Sequence, residues 1–148
     1  MNLLDYTDRR FIRHLEARDK YDAIAELAGL FKGHGVCSDI DRLIMALKER
    51  EEIMATGIGF GIAVPHARIK EVQRLSFAVG VSRQGIDFEA MDKKPAHLII
   101  LVAAGEMQHM AYLRLLSRIL NLLKKETAKE QIMAATDVDQ IIDIIKSD

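Results

Sequence analysis

The sequence predicts an α/β domain, a three-layer α/β/α sandwich with a mixed, roughly five-stranded sheet flanked by helices. Three observations carry this. Residues 98–103, Leu-Ile-Ile-Leu-Val-Ala, are apolar at every position, as an interior sheet strand is when both its faces are covered. Apolar residues recur at helical spacing both before and after that segment. Between them a glycine-rich run, Thr56-Gly57-Ile58-Gly59-Phe60-Gly61, leads into Ile62-Ala63-Val64-Pro65-His66. The chain of 148 residues has the size of one domain, read as spanning 1–148, and 49% hydrophobic residues supply one real core.

Taken in order, residues 11–17 fit a strand by alternation, with Phe11, Leu15 and Ala17 on one face, and fit a helix nearly as well. Ile24, Leu27, Ala28 and Phe31 recur at helical spacing, and Gly33 and Gly35 end the pattern. Ser38 is a good N-cap for a second helix, with Asp39 and Asp41 in its first turn. That helix carries Ile40, Leu43, Ile44 and Leu47 on one face and runs out near Arg50. Residues 62–65 read as a buried strand and 75–81 as a half-buried one. Residues 85–95 are turn-rich, with Gly85 and Pro95 as punctuation. After strand 98–103, a long helix is expected over roughly 106–125, with short helices over 127–135 and 137–146 and Asp137 as a cap.

Charge and composition exclude several classes. The 21 basic and 22 acidic residues balance to a net charge of −1, which argues against a nucleic acid or an anionic membrane as the main partner. Arg9, Arg10 and Arg13 cluster, but Asp8 and Glu16 flank them, as on a solvated face. With no Trp and few scattered Tyr and Phe, there is no base-stacking platform. The single cysteine, Cys37, allows no internal disulfide and fits a reducing cytosol. No signal peptide is visible at the N-terminus, and no apolar run approaches the ~20 residues of a membrane helix, so a cytoplasmic protein without direct membrane insertion is expected.

The chemistry centres on two histidines. Glycines open the loop before His66 to close approach, and Pro65 fixes φ just ahead of it. His66 is therefore well presented as a nucleophile at the C-terminal edge of a buried strand, although alone it fits a structural role equally. His109 lies in the first turn of the long helix. Leu113, Leu116, Leu120 and Leu123 follow at +4, +7, +11 and +14, so His109 is expected to continue the buried stripe and face the sheet. Alone it reads as a satisfied boundary histidine. If the two strands run the same way, both imidazoles share the crevice where α/β sheets bind ligands, beside a helix N-terminus suited to an oxyanion.

Neutral imidazole can carry a phosphoryl group covalently, and such a site needs cations to neutralise phosphate. Arg50 and Arg68 flank the loop and His66; either could serve, and Arg68 reads more simply as a surface residue. Glu51 could orient or accept, and reads more simply as solvated. A metal on His66, His97 and His109 is disfavoured because no HxxxH or CxxC spacing occurs. No cofactor is implied: the glycines precede a strand, where a dinucleotide fingerprint precedes a helix. Cys37 reads as a spectator thiol, His14 and His34 as surface residues, and His97 as structural.

These residues resemble a known family. The run from Arg50-Glu51 through Thr56-Gly57-Ile58-Gly59-Phe60-Gly61-Ile62-Ala63-Val64-Pro65-His66 is similar to the R-E-x-x-x-S/T-G-I-G-N-G-I-A-I-P-H motif of enzyme IIA domains. The resemblance is to the fructose/mannitol class of the bacterial phosphoenolpyruvate-dependent phosphotransferase system, which includes nitrogen-type regulatory members. Gly85-Ile86-Asp87-Phe88-Glu89-Ala90-Met91-Asp92 resembles a second family segment, and the helix from His109 to Leu120 a third. The resemblance implies that His66 accepts phosphate from the phosphocarrier HPr and, in transport members, passes it to a IIB domain. It implies that His109 stabilises the phosphohistidine and that Arg50 neutralises charge. Phe60 stands where the family usually has Asn. Three functions follow as expectations: a phosphoryl carrier in sugar uptake, a regulator that binds target proteins according to His66 phosphorylation, or a binding module that is never phosphorylated.

Overall fold

Alternation and helical recurrence of apolar residues set the order of elements. The computed structural model describes residues 1–148. Two 3-10 turns, Leu3–Asp5 and Arg9–Phe11, lead into β1 (Ile12–His14). Then come α1 (Lys20–Gly29), α2 (Ile40–Ile53), β2 (Gly57–Gly59), β3 (Ile62–Ala63) and β4 (His66–Arg68). The two long strands, β5 (Ser76–Ile86) and β6 (Ala96–Ala104), precede α3 (His109–Lys124), α4 (Glu126–Ala134) and α5 (Val138–Lys146).

β6 is the spine of a mixed sheet ordered β1-β5-β6-β3-β2, with β4 also paired to β6. β5 runs antiparallel to it on one side; β3 and then β4 run parallel along the other. Ile62 pairs with Leu98 and His66 with Val102, so the register carries straight through Val64-Pro65. Short pairings at 57–59, 62–63 and 66–68 bring the sheet to six strands. Alternate side chains of β6 serve two cores. Leu98, Ile100 and Val102 pack with α3, α4 and α5, while Ile99, Leu101 and Ala103 pack with α1 and α2. Three layers result, as the doubly apolar segment predicts.

Four local expectations are corrected. Residues 11–17 hold only a three-residue strand, β1, which extends the sheet by pairing in parallel with β5. Asp39, and not Ser38, caps α2: its carboxylate accepts from the Arg42 N–H at 3.0 Å, while Ser38 bonds to the Glu71 carbonyl. β5 is buried on both faces over residues 76–82 because helices cover both sides of it. The sheet-facing stripe of α3 is Tyr112, Leu115, Ile119, Leu122 and Leu123, about one position away from the predicted one. Two adjacent rows of α3 are apolar, so periodicity left the phase open; Leu113 is exposed and Leu116 and Leu120 are half-buried. His109 is consequently exposed and does not face the sheet. The Asp137 cap does form, accepting from the Gln140 N–H at 3.0 Å.

Candidate active site

The last turn of α2 folds back onto the glycine loop. Met54 N–H closes the helix on the Arg50 carbonyl, and the Glu51 side chain turns inward. Its carboxylate accepts from the Thr56 N–H at 2.8 Å and from the Thr56 hydroxyl at 2.5 Å. Gly57 is required where it stands: a Cβ there would lie 2.8 Å from the Phe88 carbonyl oxygen. Gly59, Phe60 and Gly61 all take positive φ, at 88°, 59° and 79°. The Phe60 peptide is clamped from two sides, donating its N–H to Asp92 at 2.9 Å and accepting from Lys129 at 3.0 Å. The ring itself is 77% exposed.

His66 opens β4 and so does not close the preceding strand. Its Nδ1 lies 2.9 Å from the Val64 carbonyl oxygen. A carbonyl only accepts, so Nδ1 carries the proton and Nε2 of the neutral ring carries the lone pair. Burial lowers the His66 pKa below its ordinary 6.5, against the Val64 carbonyl, which favours the charged ring. Arg50 and Arg68 push the same way as burial, and Glu51 opposes them. A cleft of about 200 Å³ opens over the ring, lined by Arg50, Met54, Thr56, Ile58, Val64, Leu116 and Leu120 among others.

β4 and β6 do run the same way, which brings both predicted histidines to one end of the sheet. They are joined through Tyr112, whose ring centroid is 5.5 Å from that of His66 and 6.4 Å from that of His109. No hydrogen bond links the two imidazoles. Arg50 and Arg68 are both exposed, and of the two only Arg50 lines the cleft.

The profile described as "Phosphoenolpyruvate-dependent sugar phosphotransferase system, EIIA 2" matches residues 6–148. The chain belongs to this enzyme IIA family. It is 36% identical over 152 residues to a Haloferax volcanii protein, "PTS system fructose-specific EIIA component", covering 96% of this chain and 97% of that one. It is 37% identical over 132 residues to the Bacillus subtilis "PTS system fructose-specific EIIABC component", covering 89% of this chain but only 21% of that much longer protein. A "Nitrogen regulatory protein" of Bradyrhizobium diazoefficiens is 28% identical over 132 residues, with 88% and 85% covered. Among solved structures, the nitrogen regulatory protein IIA-Ntr of Neisseria meningitidis shares the fold, with a TM-score of 0.86 at 24% identity and 95% and 97% coverage. So does the Escherichia coli mannitol IIA in its complex with phosphorylated IIB, with a TM-score of 0.81 at 22% identity and 94% and 96% coverage. No helix of this IIA chain is long and apolar enough to cross a membrane.

Sequence reasoning missed the placement of three residues around this candidate site, Glu51, Lys20 and Tyr112. Glu51, expected in solvent, is 2% exposed and pairs with Lys20 at 3.6 Å. Lys20 in turn donates to Glu89 at 2.9 Å; its pKa is raised, since Glu89 and Glu51 outweigh the opposing desolvation. The signal for Glu51 was present: Leu43, Leu47 and Glu51 are the buried positions of α2, spaced by four. Tyr112 was missed because the stripe of α3 was misphased. His97 is tied down as expected, with Nδ1 2.8 Å from the Ser82 carbonyl. His14, read as a surface residue, is half-buried and binds the Ala135 carbonyl at 2.8 Å, fastening β1 to the junction of α4 and α5. Cys37 is half-buried, and burial pushes its thiol pKa up, away from the reactive thiolate.

Proposed function

We propose that this chain is a phosphoryl carrier whose acceptor atom is Nε2 of His66. The observation that carries the reading is the Nδ1–H to Val64 contact on a ring that burial keeps neutral. The Nε2 lone pair attacks the phosphorus of a phosphohistidine on an HPr-type phosphocarrier. A new N–P bond forms as the donor's N–P bond breaks, and the bonding pair returns to the donor imidazole. Arg50, on the cleft wall, neutralises phosphoryl charge, and His109 stabilises the phosphohistidine across the rim set by Tyr112. Met54, Ile58, Phe60, Met110 and Leu113 are exposed on the elements around the cleft and offer apolar surface to a docking carrier.

The next acceptor in a transport role is a IIB domain. The similarity to a nitrogen regulatory protein supports a second reading, in which the chain regulates target proteins according to the phosphorylation state of His66. Both readings share one test. Incubation with phosphoenolpyruvate, enzyme I and HPr is expected to add one acid-labile phosphate, which His66→Ala abolishes. His109→Ala is expected to fold normally and transfer more slowly. Phosphate that persists in His66→Ala overturns the acceptor assignment, and unchanged transfer in His109→Ala overturns the role of His109.

A further inference from the structure

Glu51 is the only acidic residue buried in the protein, and its side chain is fully covered. Both carboxylate oxygens are engaged by Thr56, one through the backbone N–H and one through the hydroxyl. Lys20 supplies the counter-charge at 3.6 Å and is itself tethered to Glu89. A buried carboxylate is costly to desolvate, and a buried ion pair is weak evidence for stability. What distinguishes this one is where its hydrogen bonds lead. The Thr56 carbonyl accepts from the Val64 N–H at 3.0 Å. The Val64 carbonyl accepts from Nδ1 of His66 at 2.9 Å. A path therefore runs from the Glu51 carboxylate through the backbones of two residues, Thr56 and Val64, to the imidazole.

We infer that Glu51 is a positioning residue for phosphoryl acceptance: it fixes Thr56, Thr56 fixes the Val64 peptide, and the Val64 carbonyl holds the His66 proton on Nδ1. The inference rests on His66 being the acceptor. Three features make the carboxylate suited to this task. It accepts two bonds from one residue, which locks the Thr56 backbone and side chain together. It draws Lys20, and so α1, onto the end of α2. It also lies close enough for its charge to act on the ring. Of the charged and titratable groups around His66, Arg50 and Glu51 come from α2, Arg68 from β4 and Tyr112 from α3, and Glu51 alone favours the protonated imidazole. Val64 is the pivot of the path: its N–H donates to the Thr56 carbonyl and its own carbonyl meets the ring.

The test uses the full chain as wild type, Glu51→Gln, Thr56→Val and Thr56→Ser. Nitrogen-15 spectra of the unphosphorylated proteins read the His66 tautomer, and transfer from phosphorylated HPr gives kcat and KM separately. Glu51→Gln removes the charge and leaves Lys20 paired with Glu89 alone; Thr56→Val removes only the hydroxyl bond. Both are expected to lower the share of Nδ1–H tautomer and to cut kcat roughly ten- to a hundredfold, with KM for HPr little changed. Thr56→Ser is expected to restore both. Should Glu51→Gln fail to fold, Thr56→Val carries the test alone. A wild-type tautomer in the folded variants overturns the inference, and so does a loss confined to KM. If the wild type takes no phosphate on His66, the proposed function fails, while the tautomer measurement still decides whether Glu51 sets the ring.

Discussion

Tyr112 walls one side of His66: their ring centroids lie 5.5 Å apart, with the planes tilted by 32°. The phenol is 6% exposed, and burial raises its pKa. It is the contact through which the first turn of α3 meets the ring at the start of β4. Replacing Tyr112 by Ala is expected to cost about 3 kcal/mol or more, because a large buried ring leaves a void. The same change admits water to His66, so the His66 titration midpoint should rise toward 6.5. Tyr112→Phe keeps the wall and should stay within ~1 kcal/mol of the parent. Urea melts and imidazole titration by NMR check both halves. An unmoved His66 midpoint in Tyr112→Ala contradicts the shielding.

Stability should carry a pH signature from His66. Its folded pKa lies below 6.5 because burial disfavours the charged ring. As pH falls past about 6.5, the unfolded ring takes up a proton that the folded ring still refuses. In that window the unfolded state binds more protons, so stability declines as pH falls. Above the window, this ring contributes no slope. Phosphoryl acceptance should likewise hold level down to about 6.5 and fall only as the folded ring protonates. Urea midpoints across the window, for the parent and His66→Gln, check the sign: the parent's slope should exceed the variant's. Equal slopes would count against the depressed pKa.

Phe60 sits at φ 59° between two left-handed glycines, although an aromatic side chain pays for that region and Asn pays far less. Phe60→Asn is therefore expected to stabilise the fold by about 0.5–1 kcal/mol. The backbone clamp from Asp92 and Lys129 does not depend on the side chain and should survive. The exposed ring also stands beside the cleft, so the same variant should weaken docking of phosphorylated HPr and raise KM. Thermal melts and transfer kinetics separate the two effects. A variant that melts lower than the parent contradicts the strain.

Much of this was legible in the chain. Composition and period alone gave three layers, because a strand apolar on both faces requires helices on both sides. Glycine spacing and Pro65 marked the loop, since local backbone limits are written in residue type. The motif from Arg50 to His66 pointed to the family that the comparisons established.

Other features depended on contacts between distant residues. The phase of α3 could not be read where two neighbouring rows are both apolar; packing on β6 chose Tyr112 for the interior and turned His109 out. Glu51 carried the right helical spacing but the wrong chemistry for a core, and only Lys20 and Thr56 make its burial tolerable. The tautomer of His66 follows from the Val64 carbonyl two residues before it, and the Val64 N–H is in turn held by the Thr56 carbonyl. The sequence by itself determined the layering and the place of the glycine loop and Pro65-His66, because those depend on local period and residue type. Tertiary structure decided which way each side chain faces, because that depends on partners that folding brings from elsewhere in the chain.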